Sequence, residues 1–154
     1  MILGPWRRVL AAAVLGAPPA LAQSTTTVID GDTLNYKGAV VHLWGIDAPD
    51  KGHLCADGWD AGKAAADYLT SLIGAKLVTC ESKTSPTPGG PFVVCKVDGQ
   101  DLSAAMVLAG MAWSYPQQSQ DYVVQESNAM IAVRGVHAHV CLKPWEWRTR
   151  NQRQ

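Results

Sequence analysis

Short apolar stretches separated by polar turns recur along the chain and predict five β-strands. Three further segments repeat apolar residues at helical spacing, and a glycine follows each of them. The helices come mostly after the first strands, which is typical of an α+β fold. The predicted strands are Thr25–Ile29, Leu34–Tyr36, Val40–Ile46, Leu77–Glu81 and Phe92–Val97, and the predicted helices are Gly58–Ile73, Leu102–Ala109 and Tyr122–Arg134.

Two short acidic turns stand where apolar stretches stop. Asp30-Gly31-Asp32-Thr33 follows Val28-Ile29, and Asp47-Ala48-Pro49-Asp50 follows Ile46. Either turn alone is typical of an ordinary strand end, because Asp, Gly and Pro favour turns. If the two strands end side by side, however, four carboxylates meet at one end of the sheet. Such a group repels itself unless a cation lies within it, so the pair of turns indicates a site for a hard divalent cation.

The two turns resemble the two signature motifs of the staphylococcal (thermo)nuclease family. The first motif, an apolar residue followed by D-G-D-T, is intact from Val28 to Thr33. The second is usually R-L-x-G-I-D-A-P-E and reads H-L-W-G-I-D-A-P-D from His42 to Asp50. The resemblance extends from about Thr25 to Arg148. It implies a five-stranded OB-fold β-barrel with three helices, and a calcium-dependent phosphodiesterase that acts on DNA or RNA.

The resemblance also implies a metal site in the acidic turns. Members of the family use Ca²⁺ to bind and polarise the phosphate, and their ligands are carboxylates and a backbone carbonyl. The expected ligands here are the side chains of Asp32 and Asp47 and the carbonyl of Ala48, with Asp30 and Thr33 supporting the first turn.

The catalytic positions depart from the family pattern. Asp50 stands where a glutamate positions or deprotonates the attacking water, and its side chain is one methylene shorter. His42 stands at the position of the first catalytic arginine, and the second arginine position falls on Gly90. No arginine occurs from Val9 to Val133, so the predicted barrel has no guanidinium to grip a phosphate with two hydrogen bonds. The expected catalytic residues are therefore His42 and Asp50, without the usual cations.

Two functions from different classes follow from this pattern. In the first, the protein is a nuclease of reduced activity, in which a protonated His42 replaces an arginine. In the second, it is a non-catalytic OB-fold module that keeps the cation site and binds nucleotides without turnover. The intact acidic turns favour the first function and the missing arginines favour the second. Because both functions share one fold, the fold alone does not decide between them.

Residues 1–22 have the pattern of a secretory signal peptide. Arg7-Arg8 precedes an apolar run, Val9–Ala17, that is too short to span a bilayer, and Ala20-Leu21-Ala22 is a small-x-small cleavage site. The alternative is an uncleaved anchor. Cleavage would leave residues 23–154 as a single monomeric domain, periplasmic or secreted, with no membrane contact. Its net charge of about −2 would attract nucleic acid only weakly.

Four cysteines in an exported chain predict two disulfides, for which three pairings exist. Cys80 and Cys95 each end a predicted strand, and the Gly- and Pro-rich link from Ser85 to Pro91 suits a long hairpin loop. We therefore expect a cross-strand Cys80–Cys95 disulfide, which leaves Cys55 to pair with Cys141. A cysteine-bound metal is the alternative, and the absence of a C-x-x-C spacing disfavours it.

The C-terminal segment carries the one basic cluster of the processed chain. Its sequence P-W-E-W-R, residues 144–148, resembles that of secreted members of the family and predicts docking on the barrel. The charges by themselves are typical of a solvated chain end. Among the aromatic residues, Trp59, Trp113 and Tyr115 are candidates either for stacking on bases or for packing in the core. The basic residues are Lys143, Arg148, Arg150 and Arg153.

Overall fold

The computed structural model describes residues 26–84 and 89–152, and in this part of the chain eight strands form two sheets. The strands are β1 (Thr27–Val28), β2 (Thr33–Tyr36), β3 (Ala39–Leu43), β4 (Ile46–Asp47), β5 (Val78–Ser82), β6 (Phe92–Val97), β7 (Gln100–Asp101) and β8 (Trp113–Ser114). The larger sheet has the order β1-β2-β3-β6-β5, with β7 paired to β6, and β4 pairs with β8. All paired strands are antiparallel except β3 and β6, which run parallel.

The α+β class predicted from the sequence is confirmed, but the closed five-stranded barrel is not. Among the described residues β1 pairs only with β2 and β5 only with β6, so no pairing joins the two ends of the sheet. The predicted strand Val40–Ile46 is also wrong in its continuity. Gly45 has φ 73°, and a Cβ at this position would lie 2.8 Å from the ring of Tyr122. The chain therefore turns at this glycine, between β3 and β4.

Three of the α-helices in the described part of the chain match the predicted ones. The first begins later than predicted, because the side chain of Asp60 accepts the backbone N–H of Lys63 and caps the helix at Ala61. A fourth helix, at the C-terminus, was not predicted, because its residues form no apolar stripe at helical spacing. The helices are α1 (Ala61–Ile73), α2 (Leu102–Leu108), α3 (Val123–Ile131) and α4 (Pro144–Asn151), and a 3₁₀ turn spans Gly135–His137.

The core lies between the larger sheet and the helices α1 and α2. Leu34 and Leu43 contribute from β2 and β3, and Leu69 contributes from α1. Leu102 and Met106 complete this layer from α2, and each of the five side chains is at most 1% exposed. Burial of these side chains fixes the strands and the helix that flank the two acidic turns.

The structure contains two disulfides, in the pairing that the sequence predicts. Cys80 and Cys95 lie directly opposite each other in the β5–β6 pair. Cys55 and Cys141 are 86 positions apart in sequence, and their Cα atoms are 4.3 Å apart. This second disulfide joins the loop before α1 to the segment before α4. In the loop-entropy model, closing a loop of this length stabilises the fold by about 4 to 5 kcal/mol.

The predicted signal peptide, residues 1–22, lies outside the described residues. None of the described helices is both long and apolar enough to cross a membrane. Two disulfides and no free cysteine in the described chain suggest an oxidising environment.

Replacing Cys55 and Cys141 together by serine should destabilise the fold and release α4. We expect the free energy of unfolding to fall by about 2 to 5 kcal/mol, because the unfolded chain regains the freedom of a long loop. The backbone amides of α4, which this disulfide tethers, should exchange hydrogen markedly faster than those of α1. Denaturant titration and native-state hydrogen exchange measured by mass spectrometry give the two quantities.

The matched control replaces Cys80 and Cys95 by serine. This disulfide spans only 15 positions within one strand pair, so its loss should lower stability without changing the protection of α4. Equal protection of α4 in the two variants would show that the longer disulfide does not anchor this helix.

Candidate active site

A cavity of about 330 Å³ opens between the two acidic turns, β3 and the C-terminal helix. The residues expected to be catalytic, His42 and Asp50, both line it. The two carboxylates expected to bind metal, those of Asp32 and Asp47, line it as well. The full lining is Asp30, Asp32, Thr33, His42, Leu43, Ile46, Asp47, Asp50, Phe92, Tyr115, Gln118 and Arg148.

The first acidic turn is held by hydrogen bonds to the second turn and to the end of β3. The backbone N–H of Ala48 donates to Oδ2 of Asp32 at 2.8 Å, and the N–H of Leu43 donates to the Asp32 carbonyl at 2.8 Å. Gly31 makes this approach possible, since a Cβ there would lie 2.7 Å from the Cβ atoms of both Ala48 and Ala65. Any larger residue would push the two turns and α1 apart.

The second acidic turn rests on the start of α1. A Cβ at Gly62 would lie 2.1 Å from the carbonyl oxygen of Asp50, so only glycine lets the helix pack directly on this turn. The N–H of His53 donates to the same carbonyl at 2.9 Å. The backbone of Asp50 is therefore fixed on two sides, and its side chain alone is free to adjust.

Charge is concentrated in this cavity, and the carboxylates respond to it. Burial raises the pKa of Asp32 to about 8, with further contributions from the charges of Asp30 and Asp47, while the hydrogen bond from Ala48 acts in the opposite direction. Burial also raises the pKa of Asp47, and hydrogen bonds from Arg148 oppose this change. The site is thus built to hold more negative charge than the carboxylates tolerate without a counter-charge.

His42 belongs to a chain of hydrogen bonds that ends on Asp32. Its Nε2 lies 2.7 Å from the carbonyl oxygen of Gly89, and its Nδ1 lies 3.1 Å from Oγ1 of Thr33, which lies 3.0 Å from Oδ1 of Asp32. A carbonyl only accepts, so Nε2 must donate. Thr33 has a single proton to give, so its hydroxyl donates either to Asp32 or to His42 and not to both.

Both ring nitrogens of His42 therefore have partners within the protein. In this arrangement the imidazole braces the first acidic turn and does not present an unengaged N–H to the cavity. The expectation that His42 replaces an arginine stays a prediction, and it requires the ring to leave the carbonyl of Gly89.

The position of the second family arginine is closed to a long side chain. Gly90 has φ 104°, and a Cβ there would lie 2.4 Å from the carbonyl oxygen of Val40. Residues 85–88 of the same loop lie outside the described part of the chain. An arginine at position 90 would need the strand edge and the loop to separate.

Arg148, which the sequence analysis did not assign to the site, lies at its centre. Nη1 of Arg148 lies 2.9 Å and 3.1 Å from the two carboxylate oxygens of Asp50, and 3.2 Å from Oδ1 of Asp47. Its Nη2 lies 2.5 Å from Oδ2 of Asp47. The barrel has no arginine of its own, as the sequence shows, but the acidic turns are paired with one from the C-terminal segment, whose charges by themselves were typical of a solvated chain end.

The helix that carries Arg148 is anchored on both sides of the site. The ring of Trp147 stacks on His53 with centroids 4.7 Å apart, and Trp145 packs against Tyr115 at 5.4 Å. His53 is fully buried, and neither of its ring nitrogens has a hydrogen-bond partner among the described residues. The P-W-E-W-R sequence was the signal for this docking, although it gave no indication of what the arginine reaches.

Of the three candidates for base stacking, only Tyr115 lines the cavity. Trp59 stacks on His139 with centroids 4.1 Å apart, and Trp113 is 4% exposed within β8. Packing therefore accounts for the two tryptophans.

The expected calcium ligands have the right chemistry but are not arranged as a metal site. Carboxylates and backbone carbonyls are the donors that hard cations prefer. Within residues 26–84 and 89–152, however, no three carboxylate, imidazole or thiolate groups converge as they would around a metal ion. Asp47, one of the two expected carboxylate ligands, is paired with Arg148. The donors fit calcium in kind, on the condition that Arg148 releases Asp47.

Residues 40–135 match the family model described as Staphylococcal nuclease homologue. An uncharacterized endonuclease of Escherichia coli O157:H7 is 33% identical over 131 residues, which cover 80% of this chain and 82% of the relative. An uncharacterized endonuclease of Haemophilus influenzae is 30% identical over 129 residues, covering 79% and 69%. The succinoglycan biosynthesis protein ExoI of Rhizobium meliloti is 31% identical over 102 residues, covering 62% and 52%. The family match includes the second acidic turn and ends before α4.

The buried His53 predicts a pH dependence of the anchor of α4. Burial lowers its pKa, and the nearby Arg148 adds to this effect while Asp50 opposes it. The folded state therefore binds a proton at His53 less readily than the unfolded state. Stability from this residue is fully present above the unfolded pKa of about 6.5 and is lost as the pH falls below it.

We expect the thermal melting temperature to fall as the pH is lowered from 6.5 to 5, the range in which an unperturbed imidazole takes up a proton. Tryptophan fluorescence should change over the same range, because Trp147 loses its stacking partner. The matched variant is His53→Phe, which keeps a ring beside Trp147 and removes the titrating group. If the variant and the natural chain lose stability in parallel over this range, His53 is not the group responsible.

Proposed function

Because the chain belongs to the family of staphylococcal nuclease homologues, we propose that it is an exported, calcium-dependent nuclease that hydrolyses phosphodiester bonds of DNA or RNA at a reduced rate. The observation that carries this proposal is the cavity that gathers four carboxylates, an imidazole and a guanidinium. Two of the relatives are described as endonucleases, which supports the same class of reaction.

The calcium ion would be held by the carboxylates of Asp32 and Asp47 and by the carbonyl of Ala48. When bound, it would polarise the phosphate and neutralise charge that develops on its oxygens. Asp30 keeps the first turn in shape, because its Oδ1 accepts the backbone N–H of Asp32 at 3.2 Å. The hydroxyl of Thr33 contacts Oδ1 of Asp32, while the backbone N–H of Ala48 contacts Oδ2.

Asp50 is the proposed acceptor of the proton of the attacking water. Its carboxylate lies at the rim of the cavity with 35% of the side chain exposed, so water reaches it. Its backbone is fixed against α1 by Gly62, and the loss of one methylene relative to glutamate shortens its reach. The water must therefore lie closer to the turn than it does with a glutamate.

A reduced rate follows from the cationic half of the site. His42 is engaged with Gly89 and Thr33, and position 90 does not accommodate an arginine. Loss of one preorganised donor to the transition state typically costs about 3 kcal/mol. The barrel residues alone therefore provide less transition-state stabilisation than the family pattern does.

Export is proposed on two grounds. The pattern of residues 1–22 is that of a signal peptide. The chain has two disulfides, which are typical of proteins that fold in oxidising compartments. A periplasmic or secreted location satisfies both, with the rest of the chain as one monomeric domain.

A second candidate function is a non-catalytic module that binds a cation and nucleotides. Two observations favour it: both nitrogens of His42 have protein partners, and Arg148 is paired with Asp47 and Asp50. The two functions differ in turnover, so an assay of hydrolysis separates them.

Replacing Asp32 and Asp47 together by asparagine should abolish both calcium binding and hydrolysis. Asparagine keeps the shape of the side chain and removes the negative charge that a hard cation needs. Release of nucleotides from single-stranded DNA, with calcium and with chelator, measures hydrolysis, and titration calorimetry measures calcium binding. A suitable control is the Asp67→Asn, Asp98→Asn variant, which removes two exposed carboxylates paired with lysines.

If the Asp32, Asp47 variant binds calcium as tightly as this control, the assignment of the ligands is wrong. If the natural chain binds calcium and DNA but releases no nucleotides, the non-catalytic function stands instead.

Restoring charge at position 42 should raise turnover. The His42→Arg, Asp50→Glu variant is expected to hydrolyse DNA at least ~10²-fold faster than the natural chain, because a guanidinium aimed at the phosphate acts mainly on the transition state. Gly90→Arg is left out, because a side chain there would meet the carbonyl of Val40. The ratio kcat/KM at saturating calcium is the quantity to compare.

The control for this change is Ala39→Arg, which adds an arginine at an exposed position of β3 outside the cavity. The melting temperature must be measured alongside, since removing His42 breaks its hydrogen bonds to Thr33 and Gly89. An unchanged rate in a folded, calcium-binding variant would mean that position 42 does not face the reacting phosphate.

A further inference from the structure

Among the described residues that line the cavity, Arg148 is the only arginine. It lies in α4, beyond the segment 40–135 that matches the family model. We infer that Arg148 is the phosphate-binding arginine of this site, supplied by the C-terminal helix in place of the barrel positions, and that Asp47 and Asp50 hold it there until a substrate phosphate arrives. This inference rests on the proposed nuclease function and names the residue that contacts the substrate.

The contacts of Arg148 with the two aspartates show what its guanidinium can grip. Its two terminal nitrogens make four contacts of 2.5 to 3.2 Å with carboxylate oxygens on two side chains. A phosphate presents pairs of oxygens with a spacing close to that of a carboxylate, and arginine binds both in the same two-pronged manner. The group that pairs with Asp47 and Asp50 is therefore already shaped for a phosphodiester in the same cavity.

The helix holds the guanidinium at the cavity without locking it in place. The backbone of α4 is fixed by the Trp147–His53 stack, by the contact of Trp145 with Tyr115 and by the disulfide that precedes it. The side chain of Arg148 itself remains 38% exposed. It can turn from the carboxylates to a phosphate while the helix stays docked, so little reorganisation is needed at the moment of binding.

Under this assignment Asp47 is a ligand for two cations, the guanidinium of Arg148 and the proposed calcium ion. The guanidinium uses both of its carboxylate oxygens, and the proposed calcium site needs the same side chain. The two cations therefore compete for Asp47, and a chain without the guanidinium should bind calcium more tightly. A residue that served only to fold the tail onto the sheet would produce no such gain together with a loss of turnover.

The decisive comparison uses Arg148→Met, Arg148→Lys and Arg150→Met. Arg150 lies in the same helix, is exposed and does not line the cavity, so its replacement removes one charge from the same element. We expect Arg148→Met to lose about 10²- to 10³-fold in kcat at saturating calcium, as loss of one preorganised donor does. The kcat of Arg148→Lys, which keeps a point charge without the two-pronged geometry, should lie between those of Arg148→Met and the natural chain. The kcat of Arg150→Met should stay within about twofold of the natural chain.

Two binding measurements accompany the rates. The first measures, by fluorescence anisotropy in the presence of calcium, the affinity for two thymidine oligonucleotides of the same length. One has charged phosphorothioate linkages and the other has neutral methylphosphonate linkages. The natural chain and Arg150→Met should prefer the charged oligonucleotide, and Arg148→Met should lose most of that preference. The second is calorimetry with calcium alone, in which Arg148→Met should bind several-fold more tightly than Arg150→Met.

The outcomes separate this inference from the proposed function. If the natural chain cleaves DNA and Arg148→Met cleaves it equally fast or faster, Arg148 only blocks the site and the inference is overturned. If the natural chain cleaves nothing, the proposed function fails, and the preference for charged linkages alone decides on Arg148. The inference is also overturned if folded Arg148→Met still prefers the charged oligonucleotide; Arg148→Gln replaces this variant if Arg148→Met does not fold. Equal binding of both oligonucleotides by the natural chain overturns it as well.

Discussion

The repulsion between carboxylates that share one cavity is the constraint on which this structure depends. Gly31 and Gly62 allow the two acidic turns and α1 to approach at distances that no Cβ would permit. The same approach shields Asp32 and Asp47 from water and raises the pKa of both. Close packing and negative charge therefore oppose each other here, and the arrangement needs a positive group within reach. Arg148 is that group in the described structure.

The counter-charge comes from the far end of the described chain, and this couples distant features to the site. The disulfide between Cys55 and Cys141 and the stacking of Trp147 on His53 look like ordinary stabilising contacts. Both also determine where Arg148 lies. A neutral imidazole at position 53 suits this role, because a cationic one would stand buried beside a guanidinium. Stability of the tail and the charge of the cavity are thus two aspects of one set of contacts.

Sequence patterns predicted the parts of the site that are local in the chain. Each acidic turn follows an apolar stretch, so residues 28–50 alone suggested that the two turns meet. They meet across two sheets, because Asp47 ends β4 of the smaller sheet while the first turn joins β1 to β2 of the larger one. Arg148 was not visible in this way, because it lies 98 positions from Asp50 in a helix with no apolar stripe. The lack of space for a side chain at position 90 was also not predictable from the sequence, because it depends on the distance to the carbonyl of Val40 in the folded chain. The break at Gly45 was missed because apolar neighbours outweighed the glycine within the run.

A missing arginine at an aligned position does not measure the positive charge available to a site. What a phosphate experiences is the location of guanidinium atoms, and a helix docked on the sheet delivers them as well as a strand does. If α4 supplies one cation to the phosphate, the loss of arginine at positions 42 and 90 is offset in part. The structure uses them differently: His42 braces Asp32 through Thr33, and Gly90 lets its loop approach Val40 closely. Under the inference drawn for Arg148, α4 supplies to the cavity the phosphate-binding charge that the barrel positions of this chain lack.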